Sequence, residues 1–91
     1  MLHIVKSVDK LKLALTYSQP QDQFLLVEDA VYVCLPNHEL FTQISAVERV
    51  SVLKPDLAAR GLQVLASDVV PQVDFDGFVE LTVLIDKSVT W

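Results

Sequence analysis

Val50-Ser51-Val52-Leu53-Lys54-Pro55-Asp56-Leu57-Ala58-Ala59-Arg60-Gly61-Leu62 reads as one strand, one sharp turn and one short helix. Val50, Val52 and Leu53 form an apolar, β-branched run, and Lys54-Pro55 ends it, because proline cannot donate to a sheet ladder and suits the first helical position. Asp56 falls where the amino-terminal helix dipole favours negative charge, and Arg60 where the carboxyl end favours positive charge. Gly61 can take the left-handed conformation that closes a helix, which places Leu57 and Leu62 for the apolar contact of such a cap. A strand feeding directly into a helix is the unit of a parallel α/β fold.

Working outward, the same alternation recurs. Leu2-His3-Ile4-Val5 reads as a strand, and Ser7 can cap a helix whose Val8, Leu11 and Leu15 share one face while Lys10 and Lys12 point away. Ser18-Gln19-Pro20-Gln21-Asp22 is a polar linker, and Phe24-Leu25-Leu26-Val27 is an unbroken apolar run of the kind found in strands covered on both faces. Asp29 is placed to cap a short helical piece from Ala30 to Leu35, stopped by Pro36. Asn37 is placed to cap another, on which Leu40, Phe41, Ile44 and Val47 recur at helical spacing.

Beyond Gly61, Gln63 to Asp68 carries little signal. Val69-Val70-Pro71-Gln72-Val73 reads as a strand whose proline suits an edge or a strand start. Asp74 to Ile85 is open on local grounds: Phe75, Phe78, Val79 and Thr82 fit a helical face, whereas Val79, Leu81, Val83 and Ile85 alternate as in a strand. Val89-Thr90-Trp91 supplies a last short strand.

Composition narrows function. Ninety-one residues make one domain, spanning 1–91, with roughly two thirds of the unfolded surface buried. An apolar fraction of 52% and a mean hydropathy of +0.40 are high for so small a chain, so some apolar surface is expected to face a partner. No apolar run reaches membrane-spanning length and the amino-terminal residues lack the features of a secretion signal, so a soluble, cytoplasmic protein without a membrane partner is expected. The net charge of −5 and the scattered lysines and arginines argue against direct nucleic-acid binding.

The single cysteine, Cys34, permits neither an internal disulfide nor a four-ligand zinc site by itself. A persulfide carrier needs an accessible thiolate with a lowered pKa. Cys34 is instead flanked by Val33, Leu35 and Pro36 near the end of its helical piece, which reads as a packing cysteine and leaves it a weak catalytic candidate. His3 and His38 belong to no triad or metal motif: His3 reads as a strand residue making a structural hydrogen bond, His38 as a solvated loop residue. Glu28-Asp29 lies at the carboxyl end of a central strand, where open α/β sheets place ligands, and is the best site-like pair, with helix capping as the plainer explanation. Asp74 and Asp76 have a similar helix-start explanation. Gly61 and Gly77 make no phosphate loop, and no cofactor or metal is expected. Phe41, Phe75, Phe78 and Trp91 are interface candidates, divided between core and surface in a way composition does not reveal.

Several segments together resemble the TusB and DsrH family of sulfur-relay proteins. They are the opening Met1-Leu2-His3, the run from Leu25 to Tyr32, the corner from Val52 to Leu62, and Val73 to Thr82 with Trp91. The resemblance implies a small, three-layer DsrE-like α/β fold, with a mainly parallel sheet of about five strands and helices on both faces. It selects helix for Asp74 to Ile85. It also implies a subunit of a heterohexamer with TusC-like and TusD-like proteins, passing persulfide sulfur towards 2-thiolation of the wobble uridine of transfer RNA. Some DsrH-type members, which serve sulfur oxidation, carry a cysteine on the first helix around the position of Ala14; its replacement here favours a noncatalytic TusB-type subunit. The alternatives are a DsrH-type subunit of a DsrEFH-like complex, a sulfur carrier using Cys34, and a stand-alone homo-oligomeric ligand-binding module with a pocket near Glu28 and Asp29. Self-association of the isolated chain is also compatible with its apolar surface.

Overall fold

The computed structural model describes residues 1–47 and 49–91. The corner from Val50 to Leu62 folds as its residues dictate. Strand β3 (Val50–Leu53) passes straight into helix α3 (Lys54–Ala59), with Pro55 in the first turn and Asp56 beside it. Gly61, at φ +68°, closes the helix. Its amide donates to the Ala58 carbonyl at 3.0 Å and the Leu62 amide donates to the Leu57 carbonyl at 2.9 Å, the paired bonds of a Schellman cap. Leu57 and Leu62 are both buried in the same core.

Four more strands join β3: β1 (Leu2–Val5), β2 (Gln23–Leu26), β4 (Gln72–Val73) and β5 (Ser88–Thr90). All neighbouring pairs are parallel and the order is β4-β3-β2-β1-β5. Three crossovers step one way along the sheet: helix α1 (Val8–Tyr17), then a 3-10 helix (Glu28–Cys34) with helix α2 (Phe41–Ser45), then α3. Parallel crossovers are right-handed, so these steps place their helices on one face. The last connection reverses direction, from β4 at one edge to β5 at the other, and the same rule sends helix α4 (Phe75–Leu84) to the opposite face.

The strand period of two divides the core accordingly. Val5, Phe24, Leu26, Val50 and Val52 face the larger cluster, with Leu11, Ala14, Val31, Cys34, Ile44 and Leu57 from the covering helices. Leu2, Ile4, Leu25, Val27 and Leu53 face α4, where Val73, Phe78, Leu81 and Ile85 are only partly buried against them. The expected α/β architecture, a five-stranded parallel sheet with helices on both faces, is therefore present, and α1, capped by Ser7 through the Lys10 amide, matches its reading. Helix is also correct for the open segment: Asp74 caps α4 by accepting from the Gly77 amide at 2.8 Å. Gly77 sits close to β4, and a Cβ there would meet the Val73 Cβ at 3.0 Å.

Three local expectations need correction. Asp29 does not cap the 3-10 helix; the cap position is Val27, whose side chain makes no capping bond, and Asp29 lies inside the first turn. Asn37 does not cap α2, which begins at Phe41 after Leu40; the His38 Nδ1 accepts from the Leu40 amide at 3.0 Å instead, so His38 is a half-buried turn-former rather than a solvated residue. The strand expected from Val69 shrinks to Gln72–Val73, because the Val69 amide turns back to the Ser67 hydroxyl while Val70 plugs the core.

Candidate functional site

The carboxyl edge of the sheet is built from two neighbouring corners. The chain leaves β2 through Glu28, a non-glycine residue at φ +49°, and leaves β3 through Lys54-Pro55-Asp56. The Asp56 Oδ2 accepts from the Glu28 amide at 2.6 Å, supplying from a distant corner the acceptor that Val27 cannot provide. Arg60 donates through Nε and Nη2 to the Asp29 Oδ1, at 3.2 and 3.0 Å, and through Nη1 to the Asp56 carbonyl at 3.2 Å. Glu28-Asp29 and helix α3 with its capping Arg60 are thus clamped together, with the Glu28 and Asp29 carboxylates facing solvent. The arrangement offers fixed charge without a thiol or other nucleophile suited to sulfur transfer. Among the described residues, no cluster of three histidine, cysteine or acidic side chains is placed to hold a metal ion.

A second polar centre lies at the amino-terminal end of β1 and β2. His3 and Asp22 are 3% and 6% exposed. The His3 Nε2 lies 2.8 Å from the Asp22 Oδ2, and the Trp91 indole Nε1 donates to the His3 Nδ1 at 3.0 Å. An indole nitrogen only donates, so Nδ1 accepts and the imidazole proton sits on Nε2, pointing at the carboxylate. Asp22 also accepts from the Gln19 amide at 2.9 Å and from the Met1 amino group at 3.2 Å. The Gln19 amide and then His3 hold its carboxyl at about 2, against the opposing push of burial. Phe24, His3, Trp91 and Tyr17 form a ladder of rings from core to surface: His3 stacks on Phe24 at 4.9 Å, and Trp91 on Tyr17 at 6.3 Å. Both His3 nitrogens are engaged, so this centre orders the fold and leaves no lone pair for a substrate.

Cys34 is fully buried in the larger cluster, and burial pushes its thiol up to about 12. Its carbonyl accepts from the Ser67 amide at 2.9 Å, which ties the segment after α3 over it. Ala14 is likewise fully buried, on the inner face of α1. The four aromatic candidates separate: Phe41 and Trp91 pack against the larger cluster, Phe78 packs against the smaller one, and Phe75 is 60% exposed. An open cleft of about 470 Å³ lies at the amino-terminal end of β2, lined by Ser18, Gln19, Pro20, Phe24, Ala46 and Val47, none of which is a catalytic candidate. The role of Asp56 in holding Glu28 was hidden in the sequence, where Asp56 reads only as a dipole partner of its own helix.

The profile of the DsrH like protein family matches residues 6–88. This chain belongs to the DsrH-like family. Protein TusB of Salmonella enteritidis PT4 and protein TusB of Salmonella typhimurium LT2 are each 36% identical to it over 90 residues, covering 98% of this chain and 94% of theirs. The solution NMR structure of protein Tm0979 from Thermotoga maritima matches with a TM-score of 0.64, covering 96% of this chain and 97% of that one, at 22% identity, a likeness of fold alone. Family membership directs attention to the thiol, because the sulfur chemistry implied by the resemblance needs one, and the single cysteine of this member is inside the core.

Proposed function

We propose that this chain is a noncatalytic subunit of a TusBCD-type sulfur-relay complex, acting in the cytoplasm with TusC-like and TusD-like partners in 2-thiolation of the transfer-RNA wobble uridine. The observation that carries this reading is the state of Cys34. A sulfur carrier must present a thiolate to its donor and acceptor proteins, and this thiol is buried and held protonated far above neutral pH. The likeness to TusB proteins across nearly the whole chain supports a sulfur-relay role. The persulfide then belongs to a partner, and this subunit contributes shape and stability to the assembly.

Deletion of the gene is expected to abolish wobble 2-thiouridine, measured by mass spectrometry of digested transfer RNA, and a Cys34→Ala variant is expected to restore it. Normal thiolation in the deletion strain would overturn the pathway and leave the sulfur-oxidation role of DsrH-type proteins. Failure of a folded Cys34→Ala protein to restore thiolation would instead return Cys34 to the relay as a carrier.

A further inference from the structure

Helix α4 is apolar on both sides. Phe78, Leu81 and Ile85 turn towards the sheet, yet Phe75, Val79, Val83 and Leu84 are 60, 58, 72 and 78% exposed. Phe75, Val79 and Val83 follow one another at i, i+4 and i+8, so they form one continuous stripe along the solvent side. A helix with apolar residues on two opposite sides has a second side to bury beyond the one the sheet covers. The 10 residues of α4 are too few to span a bilayer, which leaves a lipid surface or another protein as the cover.

The rim of the stripe decides which. Asp76 and Glu80 form the adjacent row, with Asp74 and Asp86 at the helix ends and Lys87 the one lysine or arginine in the sequence from Gly61 to Trp91. A second copy of this chain packed antiparallel on this stripe about a two-fold axis would set the acidic row against itself, which costs association energy. Acidic side chains also repel anionic lipid surfaces.

We infer that the outer face of α4, centred on Val79 and Val83, is the docking surface for a different protein subunit that presents an apolar patch rimmed by lysine or arginine. This rests on the multisubunit reading given above and identifies the face through which that assembly forms. The stripe supplies the water-excluding centre of the contact, and Asp76 and Glu80 supply orientation and rate.

The test uses the full chain with its co-expressed TusC-like and TusD-like subunits, binding being followed by size-exclusion chromatography and quantified by titration calorimetry. Val79→Asn with Val83→Asn is expected to weaken assembly by about tenfold or more, as for centrally buried anchors. Asp76→Lys with Glu80→Lys is expected to weaken it as well, and added salt to weaken the wild-type complex but not that charge-reversed variant. Both pairs are exposed, and unchanged circular dichroism and thermal midpoint of the isolated variants separate docking from folding. A wild-type complex that both variants join with undiminished affinity overturns the docking surface while leaving the multisubunit reading intact. Absence of any wild-type complex removes that reading itself. Charge reversal that tightens binding, or self-association of the wild-type chain that the asparagine pair abolishes, overturns the partner named here in favour of an acidic one or a second copy.

Discussion

Asp22 shows how one residue can organise a region from outside any regular element. It accepts from the Gln19 amide, His3 and the Met1 amino group, and through His3 it fixes the ring that receives Trp91. Asp22→Asn removes the charge that these donors converge on and is expected to cost about 1.5–3 kcal/mol, by the usual worth of hydrogen bonds to an ionised group. The pH dependence has a definite sign. Folding lowers the Asp22 pKa from 3.8 to about 2, so its contribution is complete above 3.8 and disappears as pH falls towards 2. Urea denaturation of wild type and Asp22→Asn should therefore give a stability difference that is constant near neutrality and narrows in acid; a difference that widens in acid would reverse the assignment. The sequence marks His3 as structural, but its partners lie 19 and 88 residues away, and no local pattern reveals them. Cys34 is more legible, because its apolar neighbours already describe a core position. Its thiol is expected to resist alkylation at neutral pH in the folded protein and to react on unfolding in urea, as followed by intact mass; rapid labelling of the native chain would contradict the buried geometry.

At the level of elements, residues that punctuate the chain through their own backbone were readable, and those acting through a distant partner were not. Pro55, Gly61 and Ser7 mark turns and caps by intrinsic conformational preference or by bonds within one turn, and the structure agrees with each. Asp29 and Asn37 looked like caps because the residue types are right, but Asp56 takes the first role from 28 residues away, and His38 takes the second through a local bond to the amide two residues on. The β-branched residues of α4 argued for a strand, and the Asp74 cap with the inward Phe78, Leu81 and Ile85 outweighs them. Two substitutions test the backbone arguments. Gly61→Ala meets no neighbour within 4 Å, so its cost, about 1–2 kcal/mol, comes from the left-handed conformation alone and should appear as a lowered thermal midpoint. Glu28→Gly, at φ +49°, should do the opposite and leave stability unchanged or raise it by up to about 1 kcal/mol, since relief of strain competes with the greater freedom of the unfolded chain. A clear loss of stability in Glu28→Gly would mean that the glutamate side chain contributes more to the fold than its exposure indicates.

Across the whole molecule, the two faces of the sheet are unequally protected, and this follows from the topology. Three crossovers cover one face, whereas a single helix running from one edge to the other covers the second. No residue of α4 is buried, although Leu2, Ile4, Leu25, Val27 and Leu53 beneath it are. Local opening free energy tracks buried apolar contact, so α4 should separate from the sheet more readily than α1 or the central strands. Hydrogen–deuterium exchange of the isolated chain is expected to show α4 amides exchanging well before those of β1 and β2. Adding the proposed partner subunits should slow α4 selectively, because association stabilises only the closed form of the helix it contacts. Gly77→Ala offers an independent handle: the added methyl comes within 3.0 Å of the Val73 Cβ, so α4 and β4 must part by a few tenths of an ångström, and exchange in α4 should speed while β1 and β2 stay protected. If α4 exchanges as slowly as the central strands in the isolated chain, the smaller cluster is sufficient by itself, and the exposed stripe is not a consequence of incomplete packing. If α4 exchanges early and slows on assembly, the apolar excess visible in the composition is accounted for by a helix whose second face is completed only in the complex.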